Sequence, residues 1–162
     1  MITKTVIIPA ISGTTLMSIF SYVVSHAKGE NFKEPKVLAQ IVKRAFHTHK
    51  DKLPRMSGWA MHYAMGVVMT MVFQQCWKKT NTIPATKQGL VTGVIGGITG
   101  VMIWKILFRV HPNPPHIPFM RFAGHLLLAH IIFALGVAYC SRQFDPFVSY
   151  EEEGIKSTNE PS

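Results

Sequence analysis

Four stretches of about twenty residues, at roughly 5–25, 57–77, 89–109 and 119–140, are almost wholly apolar. The hydrocarbon core of a bilayer is about 30 Å thick, and a helix of about twenty apolar residues crosses it. None of the four stretches contains Asp or Glu, and Lys105, Arg109 and Arg121 lie near stretch ends, where long side chains reach the interface. A surface helix of a soluble protein carries a polar face, and these stretches carry almost none. The chain is 48% hydrophobic and 15% charged, against about 25% charged in soluble domains. The sequence therefore predicts an all-α polytopic membrane protein: four transmembrane helices bundled in one domain, 1–144, with one amphipathic interfacial helix.

The first stretch also fits a secretory signal, with Lys4, an apolar run, then Ser25-His26-Ala27 as a small-x-small site. It is long for a signal core and contains Pro9 and Gly13, so a retained span is expected. In the connection from His26 to Met56, Glu34-Pro35 reads as a helix start, because proline fits the first helical position. Val37, Leu38, Ile41, Ala45 and Phe46 then share a face, with Lys36, Lys43 and Arg44 displaced from it. Such a basic helix, at about 34–47, suits either the headgroup layer or a cap under the bundle. The connection from Val110 to Pro118 holds Pro112, Pro114, Pro115 and Pro118 and must be extended and stiff. Residues 145–162, with Glu151, Glu152 and Glu153, have the composition of a disordered acidic tail.

Four spans place both ends of the domain on one side. The opposite side carries Lys28, Lys33, Lys36, Lys43, Arg44, Lys50, Lys52, Arg55, Lys105, Arg109 and Arg121, against Lys4, Lys78, Lys79, Lys87, Arg142 and Lys156. The positive-inside rule assigns the richer side to the cytoplasm and, in a bacterial inner membrane, the termini to the periplasm. The net charge of +9 thus reads as orientation plus attraction of the basic 28–55 connection to anionic headgroups, not as nucleic-acid binding. Two cysteines exclude a disulfide scaffold and a four-cysteine zinc module. Cys76 and Cys140 end parallel spans on the same side. They either pair as a disulfide, if those ends touch, or stay free as small hydrophobes.

Of the eight histidines, His62 and His125 lie at similar depth in the second and fourth spans, and His130 lies about a turn and a half further along. A histidine pair in a bundle is a candidate ligand set for haem b or a metal. Buried imidazoles also serve as interhelical hydrogen-bond partners or proton carriers. No Glu-x-x-His lies on a span, which disfavours a carboxylate-bridged dimetal centre. Gly89, Gly93, Gly96 and Gly100 recur at helical spacing in the third span, with Gly97 adding a small-xxx-small pair with Gly93. Thr14, Ser18, Ser21 and Ser25 form a comparable stripe in the first. Small residues so arranged let backbones approach closely, as a glycine-zipper seam within the chain or between subunits of an oligomer. Trp59, Trp77, Trp104, Tyr22 and Tyr139 near span ends read as interface belts.

No phosphate-binding loop and no Gly-x-Ser-x-Gly elbow is present. Phe32-Lys33-Glu34-Pro35, Gly58-Trp59-Ala60-Met61-His62-Tyr63, Gly124-His125 and Gly136 give roughly the first 140 residues a resemblance to a group of uncharacterised bacterial four-span membrane proteins. That resemblance implies a fold and an inner-membrane address, and no catalytic residue. The expected function is a non-enzymatic scaffold or accessory subunit, partnered by lipid and by itself or other membrane subunits. The alternatives are a haem or redox subunit using His62 and His125, and a small proton-coupled transporter using His125 or His130.

Overall fold

A computed structural model describes residues 4–47 and 51–144; the acidic tail, 145–162, and His49 lie outside them. The described residues form five α-helices and no strands: α1 (Lys4–Lys28), α2 (Glu34–Ala45), α3 (Lys52–Lys79), α4 (Thr86–Val110) and α5 (Phe119–Phe144). Three of them, α1, α4 and α5, are long and apolar enough to cross a membrane. At 28 residues α3 is the longest helix, but its stretch is more polar.

Packing places α5 between α4 and α1, with α3 on the other side of α1 and only slight contact between α3 and α4. Neighbours run antiparallel. At one end Gln74 Nε2 of α3 donates to Thr5 O of α1 (2.7 Å) and Ser141 Oγ of α5 (2.9 Å). At the other end Arg121 of α5 pairs with Glu30, just beyond α1.

The bundle encloses polar groups within an apolar, partly aromatic core, and its outside is apolar as well. Ser18, Ser21, Thr70, His62, His125 and His130 are buried, while Ile19, Val23, Val68, Val72, Ile95 and Ile98 face outward. Of the five helices only α2 is strongly amphipathic; α1, α3, α4 and α5 carry weak water-type amphipathicity, because their apolar side chains serve both the core and the outer surface.

After α1 the chain reverses at Gly29, whose φ of 65° lies in the left-handed region that glycine enters without steric cost. The segment then folds back along α1. Ser25 Oγ accepts the Phe32 amide at 3.0 Å, and α2 begins at Glu34 with Pro35 in its first turn. Packing of α2 is chiefly on α3, where Gly58 is required: a Cβ there would stand 2.2 Å from Pro35 O. Arg44 Nη1 donates to Pro114 O at 2.6 Å. His111 Nδ1 accepts the Asn113 amide, so its Nε2–H donates to Ile41 O (3.1 Å). These bonds tie α2 to the proline-rich connection. The Lys43 ammonium beside Asp51 holds that carboxyl below the usual carboxylate range.

Some sequence expectations change at this level. Val37 and Ile41 are buried, but Ala45 is exposed and Phe46 is 77% exposed, so the apolar face of α2 ends a turn earlier than its spacing implied. Trp77 and Trp104 are buried in the aromatic core beside Phe73 and Phe122, so they do not face a lipid interface.

Candidate functional site

The α1 stripe faces inward, and its two middle serines meet side chains of other elements. Ser18 Oγ lies 3.0 Å from His62 Nε2. Ser21 Oγ donates to Glu34 Oε1 at 2.8 Å and lies 2.9 Å from His125 Nε2. Since the serine proton is committed to Glu34, Ser21 accepts from His125, which places a proton on Nε2. The result is a relay, His125 Nε2–H to Ser21 Oγ–H to Glu34 Oε1, with the imidazole nitrogen 3.6 Å from the carboxylate.

Glu34 is the residue the sequence reading passed over as a helix start. Its residue exposure is 2%, and the backward fold of the 29–33 segment carries it about two helical turns below the end of α1. A signal was present: Glu34 shares the i, i+3, i+4, i+7 face of Val37, Leu38 and Ile41, a lone acid on an apolar stripe. His125 is locked between Phe20 and Phe32, with ring centroids 5.2 and 4.9 Å away and planes within 13°.

Beside the relay lies a cavity of about 210 Å³ where α3 and α4 part. Glu34, His62, His130 and Thr14 line it together with Met61, Met65, Met69, Ile103, Trp104 and Leu107. Two of the lining groups have buried oxygens with no protein hydrogen-bond partner, Glu34 Oε2 and Thr14 Oγ1. His130 Nδ1 donates to Leu126 O at 2.8 Å, so a neutral His130 keeps Nε2 as an acceptor. Met61, Met65, Thr99 and Ile103 on the flanking helices are also exposed on the outer surface, so the cavity wall is continuous with the α3–α4 cleft.

The remaining candidate residues fall as follows. Gly89, Gly93, Gly97 and Gly100 face α5, and a Cβ at Gly93 would lie 2.7 Å from Ile131 Cα. Gly96 instead faces Met69 and Phe73 of α3, because at 3.6 residues per turn it sits at one edge of the arc that the glycines span. Cys76 and Cys140 are free thiols, the former exposed and the latter 3.6 Å from Ser12 Oγ. His62 and His125 both point at α1, and each Nε2 is engaged by a serine. Among the described residues no three His, Cys, Asp or Glu side chains converge as a metal site.

Compared with known protein families, with characterised proteins and with solved structures, the chain matches none. The function is therefore read from the chemistry of the site.

Proposed function

We propose that this chain is a four-span membrane protein that binds a small apolar or amphipathic molecule, drawn from the bilayer through the cleft between α3 and α4. The observation that carries this reading is the cavity itself, a methionine-rich space with polar groups at its inner wall and an apolar cleft beside it. Ligand pockets are typically apolar with a few convergent polar groups, and methionine adapts its shape to varied apolar partners.

Counting α3 as the fourth span is supported by where its polar residues point. His62 and Thr70 are buried and Gln74 is bonded inside the bundle, while Met61, Met65, Val68 and Val72 face outward. Part of its low hydropathy thus comes from polar residues turned into the bundle, although Gln75 is exposed, and the rest of its outer face suits lipid. The lysine and arginine distribution supports an orientation with the α2 side toward the cytoplasm, which in a bacterial inner membrane puts both ends in the periplasm. A scaffold or oligomer role draws less support, since the glycine seams are occupied by α5 and α3 of the same chain. Axial haem ligation by His62 and His125 is likewise less supported than hydrogen bonding, given their serine partners.

Protein reconstituted in lipid nanodiscs tests the reading. The probe 1-bromooctane should quench the tryptophan fluorescence saturably, because Trp104 lines the cavity, and Thr99→Phe at the rim should weaken that quenching. Quenching that rises linearly with probe, as in simple partition, and ignores Thr99→Phe overturns it.

A further inference from the structure

We infer that the molecule the cavity accepts is a lipophilic amine, with its ammonium group on Glu34 Oε2 and its apolar part lying along the α3–α4 cleft. This rests on the cavity reading above and adds the ligand's chemical class.

The inner wall offers acceptors. Glu34 Oε2 is buried, lines the cavity and has no protein partner; His130, with Nδ1 spent on Leu126 O, offers Nε2 when neutral. Thr14 Oγ1, the other unpartnered oxygen, can accept or donate, so the carboxylate oxygen of Glu34, which only accepts, is the group that selects a ligand that donates. Charge points the same way. Among the described residues Glu34 forms no ion pair with Lys or Arg; the imidazole of His125 stands 3.6 Å away with its proton directed at Ser21, and His62 and His130 share the cavity wall with it. A buried carboxylate with half its lone pairs unused is costly, and a donating cation satisfies both the charge and the lone pairs. The relay leaves Oε2 as the free oxygen, since Ser21 and His125 hold Oε1. The volume of about 210 Å³ is below the roughly 300–1,000 Å³ of drug-sized pockets, so it suits a head group and a short stem, with a longer tail leaving along Met61 and Ile103 toward lipid.

The test compares 8-bromooctylamine with 8-bromo-1-octanol on the wild-type protein in neutral-lipid nanodiscs, read by tryptophan quenching. Both should saturate, the amine binding about ten-fold or more tighter, as expected for a hydrogen bond to a charged group. In Glu34→Gln that preference should collapse toward parity. If both probes saturate with equal affinity, or if Glu34→Gln keeps the full preference, the amine assignment is overturned while the cavity reading stands. If neither probe saturates, the cavity reading fails and the assignment falls with it. The wild-type comparison decides the matter even where Glu34→Gln does not fold.

Discussion

At the scale of single residues, the decisive contact is a serine used twice. Ser21 Oγ accepts from His125 and donates to Glu34, so an imidazole and a carboxylate share one small buried hydroxyl. Removing that hydroxyl leaves two buried polar atoms poorly satisfied, and each costs about 1–3 kcal/mol. Ser21→Ala should therefore destabilise the folded bundle by about that amount in SDS-titration unfolding. Glu34→Gln keeps the shape but removes the charge. If the relay acts as a unit, the double variant loses less than the sum of the singles, with a coupling of about 0.5–3 kcal/mol. Strict additivity would show that Ser21 and Glu34 act independently. The serine stripe was legible as an inward-facing row, but its partners were not, because Glu34 reaches it only through the reversal at Gly29.

At the scale of elements, α4 and α2 owe their positions to missing side chains. Gly93 lets the α4 backbone lie against Ile131, and Gly58 lets α3 lie against Pro35. Where a Cβ would meet backbone, the helices must part, a cost of about 1–3 kcal/mol or more. Gly93→Ala should thus lower the unfolding midpoint in detergent. Gly124→Ala, whose Cβ meets nothing within 4 Å, should leave it unchanged or raise it, since alanine gains about 0.5–1 kcal/mol over glycine in a helix interior. Equal effects at the two positions would show that helix propensity, and not close packing, governs both. The spacing of the glycines was readable as a seam. Which neighbour each one meets was not, and Gly96 turned out to face α3.

At the scale of the whole molecule, the outer surface is as apolar as the core, and polar groups are enclosed within it. Serine, histidine and a carboxylate are enclosed among aromatic and aliphatic side chains, while further leucine, isoleucine, valine and methionine side chains are turned outward. With four spans the segments before α1 and after α5 share one side of the membrane; with only the three most apolar helices crossing, they would lie on opposite sides. Tags appended to the two ends should accordingly show the same protease sensitivity in sealed vesicles, and opposite sensitivity would remove α3 from the spans.

The apolar stretches, their lengths and their basic flanks come directly from the order of residues, because solvation by hydrocarbon depends on local composition over one helix length. Helix boundaries near Glu34-Pro35 follow from backbone chemistry in the same local way. The site does not. Glu34, Ser21 and His125 are separated by 13 and 104 residues, and the cavity exists only because α3 and α4 diverge after each has packed on other helices. Such proximity depends on how side-chain volumes on four helices fit together, and no periodicity along one segment encodes it.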